Sequence, residues 1–186
     1  EAVRFIDNHR DQPFFLHMAH YGVHTPIQAK EELVEKYRNK PTYGQKNPKY
    51  AAMVESIDHA VGQILGKIDE LGLRENTLVI FTSDNGGLSR VTNNDPLRRG
   101  KGWPYEGGIR VPLLVRYPGV VPEGRVSSEP ACSVDYLPTI LDAAGLPLPK
   151  DREIDGASLM PHLQWGGSES LDRESIFWHF PHYRGR

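Results

Sequence analysis

Two neighbouring polar residues follow a run of strand-forming residues in the segment TLVIFTSDNGG, at residues 77–87. Asp84 offers a carboxylate and Asn85 an amide oxygen, and oxygen ligands of this kind suit hard cations such as calcium and magnesium. Ligands of α/β proteins bind beyond the carboxyl ends of strands, which is where these two residues stand. Asp-Asn-Gly is also a frequent turn sequence. The segment by itself therefore leaves a metal site and a turn open, and it favours the turn.

Two further positions carry groups that bind anions. Lys101 lies between Gly100 and Gly102 in RRGKGWPYEGGIRVP, and a lysine is a point-charge partner for sulfate or phosphate. His24 lies in AHYGVHTP, just after a short apolar run, where a histidine can contact an anion or act as a general acid. Taken separately, each residue is equally compatible with an exposed loop.

Zinc-type chemistry is not indicated by the remaining histidines and cysteine. His179 and His182 have H-x-x-H spacing, but Pro181 between them is incompatible with the regular helix of helical zinc motifs. Cys132 is the single cysteine, which excludes a disulfide within this chain and any multi-cysteine metal site.

The elements that must position these residues follow from the hydrophobic pattern. The apolar run at residues 14–16 predicts a short buried strand, and residues 29–39 predict a surface helix. Apolar positions between residues 50 and 71 alternate steps of four and three, which predicts a helix over residues 48–71 that stops at Gly72.

The second half of the chain alternates strand and helix signals. TLVIFTS lacks polar alternation, as in a strand covered on both faces, and VPLLVRYP predicts a third strand. Ser133 is predicted to cap a helix that closes at Gly145, and the aromatic segment SIFWHFPHY predicts a further strand. Strands separated by helices indicate an α/β domain with a mainly parallel sheet flanked by helices.

Composition limits the classes of partner. The 186 residues fit one domain, with 24 acidic against 22 basic side chains and a net charge of -2, so neither nucleic acid nor an anionic membrane is indicated as a partner. No apolar run reaches the roughly 18 residues of a membrane span. The chain opens and closes within predicted elements, so we expect it to be a piece of a larger protein.

Taken in order, these segments resemble the sulfatases of the alkaline-phosphatase superfamily. The series is PFFLHMAHYGVHTP, YAAMVESIDHAVGQIL, TLVIFTSDNGG, GKGWPYEGGIRVPLLVRYPG and SVDYLPTILDAAG, and it spans nearly the whole chain. The resemblance implies an alkaline-phosphatase-like fold, incomplete here, and hydrolysis of a sulfate ester. The segment FWHFPHY is similar to members that act on sulfated sugars, which implies a sulfated carbohydrate as substrate.

The resemblance also implies roles for individual residues. Asp84 and Asn85 match two metal ligands at the end of a central strand, which hold calcium in most members, with magnesium as the alternative. Lys101 matches the lysine that contacts the substrate sulfate. His24 matches the histidine that contacts the sulfate and protonates the leaving oxygen. Many members are periplasmic or extracellular, which would be the expected localisation.

Parts of the family pattern are absent from this chain. Sulfatases use as nucleophile a formylglycine that is formed by oxidation of the Cys or Ser in a C/S-x-P/A-x-R motif. Here Cys132 is followed by SVDY, and no serine fits the motif. The acidic pair that completes the metal site is absent too. Both lie upstream in the family, so formylglycine and a missing N-terminal part are expected from the same protein. We expect residues 1–175 to be the middle and C-terminal part of the catalytic domain, and residues 176–186 the start of a small C-terminal subdomain.

This incomplete pattern predicts a weak metal affinity and no sulfate-ester turnover for the 186-residue chain alone. Two alternatives remain open at this point. One is a phosphonate monoester hydrolase or phosphodiesterase of the same superfamily, although Asn85 stands where two-metal phosphatases often have histidine. The other is a non-catalytic binding or structural module that has kept the fold.

Overall fold

A computed structural model describes residues 1–41, 44–164, 170–171 and 173–181. The chain divides into two compact units. The first contains Glu1–Leu73 and Thr82–Pro112, and the second contains Arg74–Phe81 and Leu113–His179. The candidate site residues His24, Asp84, Asn85 and Lys101 belong to the first unit.

Three helices build the core of the first unit: α1 (Ala2–Asn8), α2 (Glu31–Arg38) and α3 (Pro48–Glu70). Both α1 and α2 pack on α3. Their contact buries apolar side chains from each helix, because a helix needs a neighbour to cover its apolar face. The fully or nearly fully buried ones are Ile6, Val34, Ala52, Met53 and Ile68.

Local signals explain the limits of α3. The Asn47 side chain accepts hydrogen bonds from the backbone N–H groups of Lys49 and Tyr50 at 3.0 and 3.2 Å, which satisfies two donors of the first turn. The helix ends before Gly72, whose φ of +69° suits a residue without a Cβ. The predicted helices over residues 29–39 and 48–71 are thus confirmed.

Two strands, β1 (Val79–Thr82) and β2 (Leu113–Arg116), pair with each other. The Thr82 hydroxyl donates to the Pro112 carbonyl at 3.0 Å, which places the end of β1 beside the start of β2 and makes the pair antiparallel. Among the described residues the sheet has these two strands, so a mainly parallel sheet is not confirmed. Phe81 is 38% exposed, so the prediction that TLVIFTS forms a strand covered on both faces is wrong for this chain.

Two other predicted strands are also wrong for the described residues. Residues 13–20 have no regular structure, and Phe15 is 69% exposed. Residues 176–181 form no strand, Phe177 is 90% exposed, and residues 182–183 lie outside the described residues. Apolar runs of this kind become strands only when another strand pairs with their backbone, and neither run has such a partner in the described chain.

The second unit is organised around a buried carboxylate. A 3-10 turn at Ser133–Asp135 leads into α5 (Tyr136–Ala143), which packs on α6 (Met160–Leu163). Asp135 is 0% exposed, and its carboxylate accepts the backbone N–H of Cys132 at 2.8 Å. The start of this helical segment is therefore held by Asp135 rather than by Ser133, because the Asp135 carboxylate reaches back to a free N–H group. The predicted end at Gly145 is confirmed by its φ of +67°.

The short helix α4 (Glu106–Ile109) ends the long segment between the strands. No helix in the described part of the chain is both long enough and apolar enough to cross a bilayer.

Candidate active site

Asp84 and Asn85 lie side by side immediately after β1. The Asn85 side-chain amide donates a hydrogen bond to the Asp84 carboxylate, and the Ser83 hydroxyl donates to the Asn85 carbonyl at 3.0 Å. Asp84 is exposed and Asn85 is half-buried. The pair therefore forms a local polar turn in which Asp84 is open to solvent.

The donor set of this pair fits a hard cation only in part. Carboxylate and amide oxygens are suitable ligands, but calcium takes six to eight oxygens and magnesium requires six. Throughout the described ranges, no group of three or more acidic, histidine or cysteine side chains lies together. Asp84 and Asn85 by themselves therefore supply fewer oxygen ligands than either cation requires.

Backbone hydrogen bonds join the Asp84–Asn85 turn to the segment that carries Lys101. The Gly86 N–H donates to the Gly108 carbonyl, and the Lys101 N–H donates to the Gly87 carbonyl, both at 3.0 Å. The Asn94 side chain binds the backbone of Gly87 through two hydrogen bonds. Its Oδ1 accepts from the Gly87 N–H at 3.0 Å, and its Nδ2 donates to the Gly87 carbonyl at 2.9 Å. We call this contact the glycine junction (Gly86, Gly87, Gly100, Gly107 and Gly108).

The glycine junction is too tight for side chains. A Cβ added to Gly86 would lie 1.8 Å from the Gly107 carbonyl oxygen, and one on Gly107 would lie 2.2 Å from the Arg99 carbonyl oxygen. Both obstacles are backbone atoms, which cannot rotate away. Gly86 is therefore needed for close approach of the two segments, and Gly107 for close packing within the segment that carries Lys101, rather than for an unusual φ.

Replacing Gly107 with alanine should lower the free energy of unfolding by about 1–3 kcal/mol, because the new methyl group overpacks the backbone of residues 98–99. Urea denaturation measures this change. The matched control is Gly66→Ala on α3, where an added Cβ meets nothing within 4 Å. That substitution should raise stability by about 0.5–1 kcal/mol, because alanine is the better helix former. Equal effects at the two positions would contradict the proposed tightness of the junction.

His24 and Lys101 line one cavity of about 510 Å³ in the first unit. This volume lies within the range of small-molecule sites. The other residues of its wall are Thr25, Leu88, Ser89, Arg90, Gly102 and Trp103. The structure thus brings together the two predicted anion-binding residues, which are distant in sequence.

The orientation of His24 is fixed by its neighbours. Its Nδ1 lies 2.8 Å from the Thr25 carbonyl, which can only accept, so Nδ1 carries the proton. The Tyr21 hydroxyl donates to the same carbonyl at 2.7 Å, and the Tyr21 ring meets the His24 ring edge-on at 6.2 Å. The second ring nitrogen, Nε2, is left for a ligand or for proton transfer.

Sequence reasoning missed Arg90 and Trp103 as cavity residues. Trp103 could have been predicted, because it stands only two residues after Lys101 in GKGW. Residues this close together in a tight glycine-bordered loop tend to line the same site, as these two do. Arg90 lies in LSRVTNN, which has no distinguishing pattern. His179 belongs to the second unit.

Comparison with known proteins shows which family the chain belongs to. A family model described as Sulfatase matches residues 1–146, which is most of the chain. The chain belongs to the sulfatase family. A sulfatase from Formosa agariphila is 40% identical over 93% of this chain, and human steryl-sulfatase is 38% identical over 95% of it. The chain spans only 34% and 30% of these two relatives, about a third of their length.

A solved structure is similar to this chain in both sequence and fold. The crystal structure of Ps i-CgsB in complex with a neocarrahexaose is 38% identical, with a TM-score of 0.80 over 87% of this chain and 36% of that protein. The alkaline-phosphatase-like fold expected from the sequence is thereby confirmed at the level of the family.

Proposed function

We propose that the complete protein containing this sulfatase segment hydrolyses sulfate esters of a carbohydrate. The observation that carries this proposal is the cavity shared by His24 and Lys101, because a sulfate ester needs both a cation for its oxygens and a proton for its leaving group. A sugar substrate is supported by the similar Ps i-CgsB, whose structure holds a neocarrahexaose.

Lys101 is proposed to hold the sulfate group. Its ammonium donates to sulfate oxygens, and its backbone N–H is anchored to Gly87, so the segment that carries the charge is held in place. Positive charge beside the sulfate stabilises the charge that develops on its oxygens during S–O cleavage.

His24 is proposed to act as the general acid. With Nδ1 bound to the Thr25 carbonyl, a protonated His24 presents Nε2–H to the cavity and can transfer that proton to the leaving alcohol oxygen. Asp84 and Asn85 are proposed as two of the ligands of a calcium or magnesium ion, which would neutralise sulfate charge when bound. A formylglycine nucleophile and the remaining ligands are proposed to come from other parts of the complete protein.

Turnover of a 4-nitrophenyl sulfate and of a phenyl phosphonate monoester by the complete protein tests this function. The expected result is a higher kcat/KM for the sulfate. A higher kcat/KM for the phosphonate would overturn the sulfatase proposal in favour of a phosphonate hydrolase, and absence of both activities would favour a non-catalytic module. The 186-residue chain alone serves as a negative control and should show neither activity.

A further inference from the structure

The cavity that contains Lys101 has more positive charge than one sulfate group requires. Two permanent cations, Lys101 and Arg90, lie in its wall, and its eight lining residues include no aspartate or glutamate. Since the proposed function assigns Lys101 to the sulfate that is cleaved, Arg90 is left as a second cation without an anionic counterpart in the same cavity.

The other arginines of this segment have partners of their own. The Arg98 guanidinium lies 3.8 Å from the centre of the Tyr105 ring, and that of Arg99 lies 4.5 Å from the centre of the Trp103 ring. Arg110 pairs with Glu106 at 3.5 Å. Within the described part of the chain, no hydrogen bond, ion pair or ring contact involves the Arg90 side chain.

A guanidinium is suited to a second anionic group on a bound sugar. Its planar fork donates two parallel hydrogen bonds to a sulfate or a carboxylate, whereas an ammonium acts as a single point charge. We propose that Arg90 is a specificity-determining residue that binds a second anionic substituent, a sulfate or a uronate carboxylate, on the sugar whose sulfate ester contacts Lys101. This inference rests on the proposed function.

Kinetics of the complete protein with Arg90→Gln test the inference. The substrates are three oligosaccharides of equal length: one with a single sulfate, one with two sulfates, and one with a sulfate and a uronate. The wild type should favour one of the two doubly anionic substrates. Arg90→Gln should raise the KM for that substrate by about 10-fold or more, with little change in kcat, because a charge-assisted hydrogen bond is lost. The KM for the singly sulfated substrate should stay unchanged. Which doubly anionic substrate responds identifies the anion.

Arg4→Gln is the matched control, since Arg4 is an exposed arginine of α1 outside the cavity wall and should alter no KM. Equal effects of Arg90→Gln on all three substrates, or none on any, would overturn the inference. Calorimetric titration of the same sugars separates it from the proposed function. If no substrate is hydrolysed, the role of Arg90 is still supported when the wild type binds a doubly anionic sugar more tightly and Arg90→Gln loses this difference in affinity. If the wild type binds the three sugars equally well, the role of Arg90 is rejected.

Discussion

Replacing Lys101 with alanine in the complete protein should lower kcat/KM for sulfate esters by about 100- to 1,000-fold. This is the loss seen when one donor that stabilises transition-state charge is removed. Lys101 qualifies because it lines the cavity with His24 and its backbone is tied to Gly87. The measurement is steady-state kinetics with an aryl sulfate and with a sulfated oligosaccharide.

Two controls separate a catalytic role of Lys101 from a structural one. Lys150→Ala removes an exposed lysine of the second unit and should leave kcat/KM unchanged. Lys101→Arg keeps the charge but changes its geometry, so partial recovery of activity is expected. A Lys101→Ala protein with wild-type kcat/KM would remove Lys101 from the mechanism, and thermal unfolding of each variant shows whether the fold is kept.

Replacing Asp135 with asparagine should lower the free energy of unfolding by about 3 kcal/mol. Arg173 donates two hydrogen bonds to this buried carboxylate, at 2.6 and 2.8 Å, and the Ala157 N–H donates a further one at 3.0 Å. Removing one partner of a buried pair leaves the other charge uncompensated, which costs about 3–5 kcal/mol. We expect the lower end of this range of free energies, because the Arg173 side chain is 19% exposed and is partly solvated.

The effect of Asp135 should also depend on pH. Burial by itself raises the pKa of Asp135, but Arg173 and the N–H groups of Cys132 and Ala157 outweigh it and hold the pKa below its usual range. A depressed pKa stabilises the folded state above the unfolded pKa of about 3.9, and this contribution is lost as the pH falls through the folded pKa. The stability difference between wild type and Asp135→Asn should therefore shrink in acid.

Urea unfolding at pH 7 and below pH 4 measures both effects. The matched control is Asp151→Asn, because Asp151 also pairs with an arginine, Arg152 at 2.7 Å, but both side chains are exposed. Exposed ion pairs contribute little, so this variant should match the wild type. A similar loss for the two variants, or a difference between wild type and Asp135→Asn that grows in acid, would contradict the proposed role of Asp135.

The helices of this chain could be predicted from the sequence because their signals are local. The three- and four-residue spacing over residues 48–71, the asparagine before it and the glycine after it act within a few turns of backbone. Strands depend on partners far along the chain, so the apolar run at residues 14–16 and the aromatic segment at residues 175–183 were predicted as strands without any information on pairing. The same limitation produced the expectation of a mainly parallel sheet.

The candidate site was predictable where residue type and loop sequence carry the chemistry. His24 and Lys101 were identified from their motifs, and the structure adds that they share a cavity. Arg90 could not have been found, because only folding places residue 90 beside residue 101. The buried Asp135–Arg173 pair was missed for the same reason, because the two residues are distant in sequence and only folding brings them together.

Because of the glycine junction, the position of Lys101 does not depend on the Arg90 side chain beside it in the cavity wall. Main-chain atoms and the Asn94 side chain hold the segment that carries Lys101 against the Asp84–Asn85 turn. Among the described residues, the Arg90 side chain makes none of the hydrogen bonds that hold these two segments together. We therefore expect that evolution can exchange Arg90, and with it the proposed preference for a second anionic group, while the position of Lys101 is preserved.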